Sequence, residues 1–349
     1  MPDTLTRRRT TRLLTLAVLV ALLVTAVGVN LVLGQFTLSP SQVTEALRHG
    51  PAQDGTGESV RAANVLWQIR LPRIVLCLLV GAALAVAGTL LQGLFGNPLA
   101  EPGVIGVTSG AGVGAAAAIV LNIGVLGTAT VPVFAFLAGV LTTVAVYRLS
   151  SISGEVRVLT LILTGIAVNA VAGAAISFLV FLAPTSSREQ VIFWQMGSLN
   201  GAQWNQVAVV ALPVVLCLLV AALIAGRLDV LSLGERAAGH AGVNVAVMRV
   251  TVIGLSTALA ALAVSFAGVI GFVGLIVPHI LRQLTGPANR WLVPLSALGG
   301  AVLLLFADVV SRTLVPFADL PIGIFTALVG GPTFFVLLRR MLRRGGVVG

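Results

Sequence analysis

The sequence predicts an all-α polytopic membrane protein: about ten transmembrane helices, both termini in the cytoplasm, and a possible inverted repeat. Three observations carry that expectation. Hydrophobic residues make up 58% of the 349 positions and charged residues only 9%, where a soluble domain would carry about a quarter charged residues. The apolar residues gather into long runs, and at ~20 residues per span they suffice for about ten. The charges that remain, most of them arginine, punctuate these runs instead of forming a patch.

The first run, residues 13–33, follows Arg7, Arg8, Arg9 and Arg12. It is longer than a signal-peptide core of ~7–15 residues, and no convincing small-residue cleavage site follows it, so it reads as the first span. The second run, residues 74–91, opens after Pro72, whose fixed φ suits a helix start. Further runs cover residues 104–123, 131–149, 158–182, 207–225, 247–266, 271–284, 292–314 and 324–338. Starting inside and alternating, fifteen of the 21 arginines fall on the cytoplasmic side. The outer six are Arg48, Arg61, Arg70, Arg73, Arg188 and Arg312. That bias satisfies the positive-inside rule, and a nine-span count would put the Arg339–Arg344 cluster outside.

The whole chain, 1–349, reads as a single permease domain with three hydrophilic stretches. The outer loop at 34–73 holds a short helix at 39–48 and a Gly/Asp/Glu-rich loop at 50–59. A second outer loop spans 184–205. The cytoplasmic loop at 226–246 has the Leu/Glu/Arg/Ala composition of one or two short helices interrupted by glycine. An internal echo links Gly103-Val104-Ile105-Gly106 to Gly268-Val269-Ile270-Gly271, each after an Ala-Leu-Ala-Val stretch. Helices of opposite direction carry the two copies, as inverted-topology repeats would.

Small residues in Gly106-x-x-x-Gly110 and Gly110-x-Gly112-x-Gly114 let helix backbones approach closely in lipid, with a backbone-to-ligand approach as the other reading. Intramembrane ionisable groups are costly and therefore informative. Asp308 and Arg312 stand four residues apart and can pair on one helix face, or Arg312 can dock a partner. His279, after Pro278, reads as a polar packing group. Asn169 and Ser177 fall on roughly one face of the fifth span, where they could line a passage or bond a neighbouring helix. No ladder of Asp, Glu and His crosses the bundle, which argues against proton coupling.

Several function classes are excluded. The sequence contains no lysine, so it has no phosphate-binding loop of the G-x-x-x-x-G-K-[ST] type and no Schiff-base lysine. Any ATP and Mg²⁺ must be handled by another chain. The net charge of +10 is not a nucleic-acid footprint, since it lacks a patch interleaved with aromatics. Cys77 and Cys217 sit in apolar runs without metal or disulfide spacing. No paired carboxylates or spaced histidines suggest catalysis, no cofactor is expected on this chain, and no metal site.

Ordered motifs along the chain carry a resemblance. They are Arg70-Leu71-Pro72-Arg73, the stretch from Gln92 through Asn97-Pro98-Leu99-Ala100 to Pro102, and Trp194-Gln195-Met196-Gly197-Ser198-Leu199. Leu233-Gly234-Glu235, the run from Gly271 to Pro278-His279, and Leu320-Pro321-Ile322-Gly323 complete the set. In these the chain resembles the permease subunits of bacterial ATP-binding-cassette importers for iron–siderophore complexes, haem and vitamin B12. The resemblance implies a multi-pass protein of the cytoplasmic membrane, with an ion-coupled carrier of a hydrophilic solute as the alternative. It implies a second permease copy or paralogue, two ATPase subunits and an extracytoplasmic substrate-binding protein as partners, within the lipid bilayer and without nucleic acid. It maps ATPase coupling to Ser232, Leu233, Gly234, Glu235, Arg236, His240 and Gly242. It also maps binding-protein docking to Arg70, Arg73 and Arg312, although Arg70 and Arg73 could also simply anchor a helix end. Arginine suits such docking because its planar fork bonds both carboxylate oxygens. Ser150, Ser151, Asn169 and Ser177 are the candidates for lining and gating an alternating-access pathway.

Overall fold

The computed structural model describes residues 2–51, 57–152, 155–156 and 158–345. Arg157 and part of the loop at 50–59 lie outside the described residues. Each of the ten apolar runs forms a helix. In chain order the helices are α1 (Pro2–Val32), α2 (Pro40–His49), α3 (Glu58–Asn64), α4 (Leu71–Phe95), α5 (Val107–Val120), α6 (Thr130–Leu149) and α7 (Val158–Leu182). Then follow α8 (Thr185–Gln195), α9 (Trp204–Leu231), α10 (Glu235–His240), α11 (Val245–Ala267), α12 (Val273–Thr285), α13 (Asn289–Thr313) and α14 (Ile322–Gly345). A two-residue hairpin, Ser151–Ile152 against Glu155–Val156, joins α6 to α7.

Among the described residues, seven helical stretches are long and apolar enough to cross a membrane. The span expected at 104–123 is shorter than the sequence suggested, and the one at 271–284 keeps nearly the length of its already short run. Here α5 has 14 residues and α12 has 13, so each reaches only about 20 Å at 1.5 Å per residue, against ~30 Å of hydrocarbon. Both follow a copy of the glycine echo, and the irregular backbone of that echo takes up the missing length. Gly106 and Gly268 stand at φ 83° and 67°, the left-handed region that favours glycine. Each echo packs its carbonyls against glycine elsewhere. A Cβ on Gly165 would lie 1.9 Å from the Val104 carbonyl oxygen, and one on Gly197 would lie 2.4 Å from that of Val269. Non-helical backbone at membrane depth is tolerated only where protein or a cavity covers it.

Helix α4 is the axis of the bundle. Its apolar stretch is 83% buried, against 11% in α1 and α7. With little hydrophobic drive between helices in lipid, close packing of small residues holds such a bundle. Gly81 meets Gly300 of α13, and Gly88 meets Gly274 of α12, so closely that a Cβ on either α4 glycine would overlap backbone at 2.4 or 1.8 Å. Gln92 donates to the carbonyls of Gly274 (3.3 Å) and Leu275 (3.2 Å), tying the start of α12 to α4. In α5 the expected small-residue packing holds for Gly110 and Gly114, which face Ala138 and Phe134 of α6.

Outside the bundle, α2 and α3 form a small core around Leu38, Val43, Ala46, Ala62 and Leu66. A capping box between Ser39 and Gln42 starts α2 where the sequence placed a short helix. The loop at 226–246, expected on the cytoplasmic side, is shorter than the sequence suggested, because α9 continues to Leu231 and α10 fills much of the remainder.

Candidate functional site

The three outer arginines converge on one buried cluster. Arg70, Arg73 and Arg312 are 4%, 6% and 7% exposed. Asp308 bridges two of them: its Oδ1 accepts from Arg73 Nε at 2.7 Å and its Oδ2 from Arg312 Nε at 3.1 Å. Arg73 Nη1 also donates to Asp319 at 3.0 Å. Arg312 reaches Asn30 Oδ1 at 2.7 Å and the Leu33 carbonyl at 2.8 Å, while Arg70 donates to the carbonyls of Leu31 and Phe36.

The arginines expected to dock a binding protein are thus buried within this chain. The segments around 33–36 and 319 fold over them, and most of their donors are taken up within the chain. The i,i+4 pairing of Asp308 and Arg312 is present, and the helix-anchoring reading of Arg70 and Arg73 gains support. A cavity of about 150 Å³ nevertheless borders all three arginines, Asp308 and Asp319. Among the described residues, Arg73 Nη2 is buried without a partner, and three cations face two carboxylates. Asn30 and Asp319 were missed at the sequence level, since each becomes relevant only through contacts hundreds of positions away in the chain.

The segment expected to couple to an ATPase is built for exposure. Gly234, at φ 110°, turns the chain out of α9, and Leu233 is 75% exposed. Ser232 Oγ donates to the Asp229 carbonyl at 2.6 Å. On α10, Arg236 and His240 face outward, Ala238 plugs into the bundle, and Gly242 closes the segment at φ 80°. Glu235 pairs with Arg249 at 2.5 Å. Sequence reading overlooked Asp229. Its carboxylate accepts from the backbone N–H groups of Asn289 and Arg290 at the start of α13, where unpaired N–H groups and the helix dipole favour a negative charge. That contact fixes the end of α9 immediately before the exposed segment.

The pathway candidates separate. Asn169 donates to the Gly103 carbonyl at 3.0 Å and accepts from Ser109 Oγ at 2.5 Å, within a cavity of about 450 Å³ between α5, α7 and α8. Ser177 is exposed on α7 and does not line that cavity. Ser150 is buried with its hydroxyl on the Tyr147 carbonyl at 2.8 Å, and Ser151 is exposed in the hairpin. The expected grouping of Ser150 and Ser151 with Asn169 is therefore not what the fold brings together.

The bundle of long and half-length helices and the exposed α10 have a counterpart among known proteins: residues 19–340 match the model of the FecCD transport family. The chain belongs to that family. This permease is 41% identical over 286 residues to the hemin transport system permease protein HmuU of Yersinia pestis, covering 80% of this chain and 85% of that protein. It is 37% identical over 328 residues to the vitamin B12 import system permease protein BtuC of Vibrio vulnificus, covering 93% and 94%. A solved structure of a metal-chelate type ABC transporter in an inward-facing conformation matches with a TM-score of 0.81 at 36% identity, over 92% of this chain and 97% of that one. The permease is a multi-pass inner-membrane protein of the ATP-driven importer class, as the motifs implied.

Proposed function

We propose that this permease moves a metal chelate inward, an iron–siderophore complex first and haem or cobalamin next. It works in a complex with a second permease copy or paralogue, two ATP-binding-cassette ATPases that bind ATP and Mg²⁺, and an extracytoplasmic binding protein. The observation that carries this reading is the placement of α10. A short helix with outward-facing Arg236 and His240, secured by Ala238, Glu235–Arg249 and the Asp229 cap, offers a rigid knob for an ATPase groove. The outer cluster supports the binding-protein contact in a changed form. Instead of exposed charges, a small cavity with an excess of cationic groups and the free Arg73 Nη2 would receive a carboxylate. Helix α7, with Leu159, Leu163, Val171 and Phe178 exposed, supplies apolar surface for lipid and for the second copy.

Proteoliposomes holding the permease and its ATPases test this reading. Uptake of iron–siderophore, haem or cobalamin delivered by the binding protein should require ATP on the ATPase side and ignore imposed ion gradients. Gradient-driven uptake without ATP would overturn it. Glu235→Gln should leave stability within about 1 kcal/mol, because an exposed pair contributes no more than that. It should leave ATP hydrolysis running while uptake falls several-fold. Full uptake by this variant would remove Glu235 from the coupling contact.

A further inference from the structure

An apolar groove of about 410 Å³ runs between Phe136, Val140 and Val144 of α6 and Ile253, Gly254 and Ala258 of α11. Its two threonines, Thr143 and Thr257, donate their hydroxyls to the Gly139 and Ile253 carbonyls at 3.2 and 2.7 Å, so both donors are spent within their own helices. Gly254 opens the wall. Nothing lies within 4 Å of its Cβ position, although glycine weakens a helix interior. One end of the groove is charged: Arg148, in the last turn of α6, lines it together with Tyr147 and Val250. Arg148 is exposed, and among the described residues no carboxylate or other acceptor meets its guanidinium. Phe136 and Arg148 stand twelve positions apart. At 1.5 Å per residue that is about 18 Å, close to the ~15 Å of hydrocarbon in one leaflet.

We propose that this groove is a binding site for an anionic phospholipid, with one acyl chain between α6 and α11 and the phosphate on Arg148. A lipid meets both halves of the site at once. Its chain suits a wall without free donors, and the layering of the bilayer puts its phosphate at the depth of Arg148. The arginine bias assigns this end of α6 to the cytoplasmic side, where anionic headgroups set a negative surface potential. The planar fork of arginine bonds two phosphate oxygens. The small pair Gly254 and Ala258, four positions apart, would also admit a helix. A helix, however, would have to bring its own carboxylate to meet Arg148. The site rests on membrane placement and not on which chelate is carried.

Tryptophan quenching by brominated acyl chains tests this on the full-length permease. Phe136→Trp puts a reporter in the wall of the groove, and Leu212→Trp puts one on the exposed face of α9. Each variant is reconstituted in phosphatidylcholine bilayers with rising fractions of dibrominated phosphatidylglycerol or dibrominated phosphatidylcholine. Quenching of the four native tryptophans, measured on the unsubstituted permease, is subtracted. In the groove, phosphatidylglycerol should be preferred about fivefold, as one arginine near an anionic surface supplies. At Leu212→Trp the preference should be slight. Arg148→Gln should bring the groove preference close to one, and Arg148→Lys should keep most of it. Gly254→Leu, which fills the wall without meeting backbone, should lower quenching of the groove reporter by both lipids. Equal preference at the two reporters, or one that Arg148→Gln leaves intact, shows ordinary boundary lipid only and overturns the proposal. Absence of quenching by either lipid shows the groove covered by protein, a second copy first, and overturns it as well.

Discussion

Asp308→Ala is expected to destabilise the permease by about 3–5 kcal/mol, the cost of leaving a buried ion pair without one partner. Asp308 is 1% exposed and bonds two guanidinia that are themselves nearly buried. Arg73 would keep Asp319, and Arg312 would keep Asn30 and Leu33, but neither set replaces a shared carboxylate between two cations. The check is the thermal unfolding midpoint of the detergent-solubilised permease. Arg312→Met should cost less than Asp308→Ala, because Asp308 would still hold Arg73. In the double variant the two losses should fall short of their sum, as interacting neighbours do. Unfolding of Asp308→Ala at the native midpoint would show that water enters the cluster freely. A related consequence concerns the docking question. Reversing Arg73 or Arg312 to glutamate would place a third carboxylate beside Asp308, so lost association with a binding protein would not separate docking from misfolding.

Gly88→Val is expected to abolish folded permease, and Gly88→Ala to cost at least the about 1–3 kcal/mol typical of overpacking. The added Cβ would stand 1.8 Å from the Gly274 carbonyl oxygen, a backbone atom that cannot swing aside. Relief would require α4 and α12 to separate, which also breaks the bonds from Gln92 to Gly274 and Leu275. Gly226 supplies the contrast. It lies within α9 with nothing within 4 Å of its Cβ position, so Gly226→Ala should be neutral or stabilise by about 0.5–1 kcal/mol. Monodisperse yield on size-exclusion chromatography and the thermal midpoint report both outcomes. Native behaviour of Gly88→Val would mean that the α4–α12 crossing is looser than its geometry.

Much of the architecture was legible because it depends on local composition. Apolar runs, the arginine bias and the short helix at 39–48 can each be read within a short window, and all ten runs are helical. The glycine echo was legible as a pattern. That its copies start two half-length helices beside one cavity was not, since the pattern says nothing about what each copy packs against. The cytoplasmic segment was readable because a surface element needs few long-range contacts. Its anchor, Asp229, was not, because the N–H groups it caps belong to α13, 60 and 61 positions away.

The arginines separate the two kinds of information most clearly. By itself the sequence marked ten apolar runs that are all helical, predicted that both ends face the cytoplasm, and placed six arginines on the side where they are disfavoured. Hydrophobic length against bilayer thickness and charge asymmetry between loops are properties of short segments, and they survive without knowledge of packing. Only the tertiary structure decided that Arg70, Arg73 and Arg312 are buried on shared partners. Arg73 meets Asp308 across 235 positions and Asp319 across 246. Whether such groups meet depends on the rotation and depth at which helices cross. Here the backbone contacts of Gly81 with Gly300 and of Gly88 with Gly274 fix both.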